Sequence, residues 1–259
     1  MSISRSIVYF AYLGDEDTDD EVVRQRLAFV DRQLQWLFDL TSATASGGEV
    51  LVPYVAPRGW DVEVHRTVAR HGFRIDPASI RSDRRNLFEY PGFHAMKRLA
   101  EDSDPDALIY YCHSKGIAQL DERRMGLFRL HTQVGLTADL DSLTASRNLT
   151  RAGLFPFKFG WCWHNFFWIK AGYMAGLPVE ESTDRYYFEE LIGNRNDSQG
   201  YRGVLPLIDR LPFEQTGIAP KPWYRAEETI SPALRATYDR YARMTSPPSI
   251  ARAAALPKP

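Results

Sequence analysis

The sequence is poor in cysteine: Cys112 and Cys162 are the only two in 259 residues, and neither sits in a paired motif. That argues against a disulfide framework and makes a reducing, cytoplasmic setting the expectation, with both thiols read as small core residues. Net charge is scarce too. The 32 Lys and Arg against 33 Asp and Glu leave −1, which gives no broad electrostatic draw toward nucleic acid or an anionic membrane. No apolar run approaches the roughly 20 residues of a membrane span, so any membrane contact would be peripheral. The opening MSISRSIVYFAYLGDED runs straight into acids without a small-residue cleavage site, and reads as a first strand rather than a leader.

Several familiar motifs are missing. No G-x-G-x-x-G follows the first strand, which disfavours the common mode of dinucleotide binding, and there is no Walker P-loop. No His/Cys set has zinc spacing, and no G-x-S-x-G nucleophile elbow occurs. The triplets Asn148-Leu149-Thr150 and Asn196-Asp197-Ser198 match the glycosylation pattern but carry no meaning in a cytosolic protein.

What is present is an alternation of apolar runs and helical stripes. SIVYFAYLG (6–14) is continuous, rich in β-formers and closed by Gly14, as a strand buried on both faces would be. From Asp20 to Leu40, Val23, Leu27, Val30, Leu34 and Leu37 recur at spacings that place them on one helix face. EVLVPYV (49–55) is a second strand, DVEVHRTVARHG (61–72) a short helix ended by Gly72, and FRID (73–76) a short strand. A helix begins near Pro91, and DALIYYC (106–112) is another buried strand. This order predicts an α/β fold with a doubly wound, mostly parallel central sheet. The second half is more mixed. It has a helix over 121–136, an aromatic-dense stretch over 152–178, a capped helix over 182–193 with Ser182 or Thr183 as cap, and a helix at PALRATYDRYARM. The proline- and alanine-rich tail over 246–259 is expected to be flexible, behind a single domain of 1–245.

In open α/β sheets ligands bind at the carboxyl ends of strands. The strand ALIYYC ends there in His113, Ser114, Lys115 and Gly116. Paired carboxylates, which can hold a divalent cation against a diphosphate, occur three times. Asp104–Asp106 precedes its strand and reads as a solvated turn; Asp15–Asp17 lies in an acid-rich capping run; Asp139–Asp141 lies in a loop. His65, His71, His94 and His131 sit in helical contexts and read as structural or surface residues.

Three pieces in order, YYCHSKG (110–116), HNFFW (164–168) and RYYFEELIG (185–193), resemble a group of glycosyltransferase-like proteins of GT-A type from bacterial and viral polysaccharide synthesis. That group carries H-[ST]-K-G after an apolar strand, then G-N-[FW]-W-W, then R-Y-x-x-E. Two departures stand out: His164 replaces an expected glycine and Phe167 an expected tryptophan.

The resemblance implies a GT-A-like, Rossmann-like fold, with 1–118 as nucleotide-binding half and 119–245 as acceptor-binding half. It implies transfer of a sugar from a nucleoside-diphosphate donor to a glycan or small acceptor. His113, Ser114, Lys115 and Gly116 would line the diphosphate, with Lys115 offsetting charge on the leaving group. Tyr12 would stack on the base. Glu189, then Asp184, would be the base for an inverting transfer. Asn165, Trp163, Trp168 and Arg185 would meet the acceptor sugar. A divalent Mn²⁺ or Mg²⁺ stays open, since the lysine argues against one and His113 leaves room for one. Plain structural readings compete with these roles. HSKG also suits an ordinary loop with a capping serine, and Glu189 a helix-face acid paired with Arg185. A non-catalytic module binding glycan or nucleotide sugar, and a sugar-phosphate esterase using Lys115 and His113, are the alternative functions.

Overall fold

The computed structural model describes residues 3–43, 48–77, 80–81, 87–114, 117, 120, 122–154, 162–184, 186–193 and 204–207. The apolar opening forms β1 (Arg5–Tyr12), and the acids after it lead into α1 (Asp20–Ala43). On α1, Val23, Leu27, Val30, Leu34 and Leu37 are buried, as their spacing predicts. The predicted second strand divides at Pro53 into β2 (Glu49–Val52) and β3 (Tyr54–Ala56). Proline cannot donate to a ladder. Its carbonyl instead accepts from Ala11 N–H at 3.0 Å, and β1 changes partner from β2 to β3 there.

Helix α2 (Asp61–Arg70) and the short β4 (Arg74–Ile75) match expectation, while β5 (Ile80–Arg81) was not foreseen. Helix α3 (Tyr90–Glu101) has Pro91 in its first turn and returns the chain to β6 (Leu108–His113). Then come α4 (Glu122–Thr137), α5 (Asp141–Ala145), β7 (Arg151–Gly153), a single 3-10 turn (Trp163–Asn165), β8 (Phe167–Lys170), α6 (Ala171–Ala175), α7 (Tyr187–Gly193) and β9 (Val204–Pro206). The expected helix at 232–244 and the tail lie outside the described residues.

The sheet runs β4-β2-β1-β6-β8-β7-β9, with β3 and β5 extending from β1. β1 is parallel to both β2 and β6, and β8 is antiparallel to β6 and β7. The architecture is therefore α/β with a mostly parallel central sheet and a mixed second half. Side chains alternate between two cores. Tyr9, Tyr110 and Trp168 pack on one face with α1 and α4 residues, and Phe10, Tyr111 and Phe167 pack on the other with Phe93 of α3 and Phe188 of α7. Two side chains fix α4 to the first face: Tyr110 donates to His131 O at 2.9 Å and Trp168 Nε1 to Gly135 O at 2.7 Å.

Connections leave β1 for β2 on one side and return to β6 on the other. The strand order therefore reverses between β1 and β6, and in such sheets the carboxyl ends at the reversal frame a ligand crevice.

Candidate active site

His113 ends β6 on the α3 face, its ring stacked on Tyr111 with centroids 6.3 Å apart. Its Nε2 lies 2.8 Å from the carbonyl of His164. A carbonyl can only accept, so Nε2 carries the proton and is not available to ligate a metal. The same nitrogen is 4.0 Å from Glu89 Oε1.

Ser114 is buried. Its N–H continues the ladder to Phe10 O at 2.8 Å, and its Oγ accepts from Tyr12 N–H at 3.0 Å. The hydroxyl thus ties the end of β6 to the end of β1, with its own proton still able to donate. Tyr12, half-buried at the end of β1, lies 5.8 Å from the Arg26 guanidinium on its ring. Burial, then the charge of Asp15, raises its phenol pKa, partly offset by Arg26. Lys115, Gly116 and Arg185 lie outside the described residues, as does the Trp163 side chain.

Asn165 is only 1% exposed. Its Nδ2 donates to both carboxylate oxygens of Glu89, at 3.1 Å each. Its Oδ1 meets no hydrogen-bond partner among the described residues. Both His164 (φ 62°) and Asn165 (φ 53°) have left-handed backbones, an arrangement that costs a β-carbon-bearing residue energy and clusters at functional sites. The amide expected to meet a sugar therefore holds a carboxylate.

Glu89 is the residue the sequence did not disclose. It stands immediately before α3, and its carbonyl accepts from Phe93 N–H at 3.0 Å. Burial, then the charge of Glu89, pushes the Tyr111 phenol well above its ordinary pKa. In sequence Glu89 looks like an ordinary acid before a helix; only the docking of α3 beside β6 makes it part of the site. His131, read as structural, is fully buried, with its ring 5.1 Å from Phe166 and 5.3 Å from His164. Phe166 in turn lies 5.3 Å from His113.

Trp168 requires a correction. It is 1% exposed, its indole N–H is bonded and its ring packs 5.2 Å from Tyr110, so it is a core residue with no face open to a sugar. Phe167, at the expected tryptophan position, is buried as well. Asp184 is exposed; Ser182 Oγ accepts from its N–H at 3.0 Å, and its own Oδ1 accepts from Tyr186 N–H at 2.9 Å, two successive side-chain turns that lead into α7. Glu189 follows the buried Phe188 on α7 and is half-buried.

The three sequence pieces meet around one ring. Phe93 lies 5.0 Å from Tyr111, 6.2 Å from Phe167 and 4.9 Å from Phe188. The paired acids do not join them. Asp15 Oδ1 accepts from Thr18, while Asp104 and Asp139 each accept from a backbone N–H two residues on, which makes local turns. Among the described residues no group of three His, Cys, Asp or Glu side chains could hold a metal ion, and no helix is long and apolar enough to cross a membrane. An open groove of about 510 Å³, lined by Phe38, His71, Phe73 and Arg74 among others, lies at the opposite rim, where β2 begins.

The sequence matches no family model and no curated protein. Among solved structures it overlaps a cytidylyltransferase from Leptospira borgpetersenii at TM-score 0.44 and 10% identity, over 81% of this chain and 78% of that one. It also overlaps glucosyl-3-phosphoglycerate synthase from Mycobacterium tuberculosis in complex with UDP, at TM-score 0.45 and 11% identity, over 93% and 80% of the two chains. Overlaps this loose decide neither fold nor chemistry.

Proposed function

We propose that this protein transfers a sugar from a nucleoside-diphosphate donor to a glycan or small hydroxyl acceptor at the carboxyl ends of β1 and β6. The observation that carries the reading is the convergence of His113, Ser114, Glu89 and Asn165 at the point where the strand order reverses. Such a crevice suits a nucleotide, and it presents a carboxylate beside an imidazole. The three motif pieces that resemble the glycosyltransferase-like group also share one packed cluster around Phe93.

In this reading the first 118 residues bind the donor and the rest faces the acceptor, with Arg185 and Trp163 contributing there. A bacterial surface polysaccharide is the destination that the resemblance favours. Tyr12 contacts the base. Lys115, two residues past His113, offsets the charge that develops on the departing diphosphate, together with the Ser114 hydroxyl.

The reading is tested by thermal shift of the full chain against UDP, GDP, dTDP and CMP, with and without Mn²⁺. A nucleotide that binds only the folded form raises the melting temperature. One of the four is expected to do so, and Lys115→Ala is expected to lose most of the shift. A wild-type protein that ignores all four would rule out the transfer reading. An undiminished shift in Lys115→Ala would remove the lysine from it.

A further inference from the structure

We propose that Glu89 is the proton acceptor of this site and that Asn165 positions it, an inference that rests on the transfer reading above. The Glu89 carboxylate has about a fifth of its side-chain surface open. It is near enough to solvent to receive a substrate and buried enough to be held. Its backbone is fixed by Phe93 N–H at the start of α3. Its two oxygens are gripped by one amide nitrogen at 3.1 Å each, and the imidazole Nε2 of His113 stands 4.0 Å from Oε1. A neutral amide donor orients a carboxylate without cancelling its charge, which is what a general base requires. Asp184, by contrast, is exposed and its carboxylate is engaged by Tyr186 N–H in the turn before α7.

The local strain has the same target. Two consecutive left-handed residues, His164 and Asn165, turn the Asn165 amide toward Glu89, at the cost of leaving its buried Oδ1 without a donor among the described residues. Strain of that sort persists where surrounding structure enforces it, and it marks functional sites.

The acceptor hydroxyl gives its proton to Glu89 as its oxygen forms a bond to the anomeric carbon. The bond from that carbon to the diphosphate oxygen breaks, and its electron pair leaves with the nucleoside diphosphate. Glu89 then releases the proton to solvent through its open edge. Attack opposite the leaving group inverts the anomeric centre.

The test uses the full chain with UDP-glucose, UDP-galactose, GDP-mannose and dTDP-glucose, with water or a methyl glycoside as acceptor, and reads nucleoside-diphosphate release. Glu89→Gln should lower kcat by about 10²–10⁴-fold, while donor KM and the nucleotide-induced melting shift stay within threefold of wild type. The acid limb of the wild-type pH–rate profile should vanish in Glu89→Gln and survive in Glu89→Asp. Asn165→Ala should lower kcat by a smaller factor and keep the limb. The proposal is overturned if Glu89→Gln keeps kcat within threefold, if its nucleotide shift disappears, or if Glu189→Gln abolishes the limb instead. Should Glu89→Gln fail to fold, an unchanged kcat in Glu89→Asp or a flat wild-type profile also overturns it. If the nucleotide shift is present and only the kinetics fail, Glu89 is dismissed and the transfer reading stands; if no nucleotide binds wild type, both fall.

Discussion

A single backbone angle at His164 explains one of the departures from the resembled pattern. At φ 62° and ψ 13° a β-carbon crowds its own carbonyl, a penalty of roughly 1–2 kcal/mol that glycine escapes. Glycine is what the resembled group carries at this position; here a histidine holds the left-handed angle under strain. Replacing Ala by Gly usually destabilises a protein, because glycine loses more freedom on folding. Here the sign should reverse: His164→Gly should be more stable than His164→Ala by about 1 kcal/mol, read as a higher urea midpoint at equal m-value. An alanine variant as stable as the glycine one would show that the turn relaxes. Asn165 tolerates its own φ of 53° better, since asparagine is enriched there. At this scale the sequence disclosed where the polar residues gather but not what they touch. HSKG and HNFFW marked His113 and Asn165. Their shared partner Glu89 sits in RNLFEYPG, where nothing in composition or spacing separates it from any acid ahead of a helix.

Elements were more legible, because periodicity reports burial directly. β1, α1 and β6 follow their apolar patterns closely. Strand direction was not legible, since a period of two is the same whichever way the chain runs, and so the reversal of β8 emerges only from its pairing, Tyr110 to Trp168 and Tyr111 to Phe167. In the aromatic-dense stretch over 152–178, Trp168, expected to meet a sugar, joins Phe166 and Phe167 in filling the two cores. The element most exposed to a single change is α3, whose Phe93 joins β6, β8 and α7 through three ring contacts. Phe93→Ala should cost about 3–5 kcal/mol, measured by chemical denaturation. A cost below about 1 kcal/mol would mean that the three elements hold together without it. Gly92 next to it also resists growth: a β-carbon there would stand 2.7 Å from the Tyr111 hydroxyl and 2.8 Å from Phe10 Cβ.

For the molecule as a whole, the buried phenols and thiols set an alkaline limit. Burial pushes Tyr9, Tyr110 and Tyr111 well above their ordinary pKa of 10, and raises the Cys162 thiol to about 12. Above pH 10 the unfolded chain sheds phenolic protons that the folded chain keeps, so the unfolded state binds fewer protons and stability falls as pH rises. The thiols of Cys112 and Cys162 begin to draw on stability above about pH 9, their ordinary value, and the phenols above about pH 10, so the full stabilisation is present only below about pH 9. Three phenols together remove about 4 kcal/mol per pH unit beyond pH 10. Phenolate absorbance near 295 nm should therefore show these tyrosines ionising only with loss of near-UV circular dichroism. Free titration of every tyrosine in the still-folded protein would contradict the described burial. The backward course of β8 has a consequence of its own. One chain passage departs and another arrives at the same lip, so a protein engineer can reshape that opening from two separate cassettes while every interstrand rung stays in place.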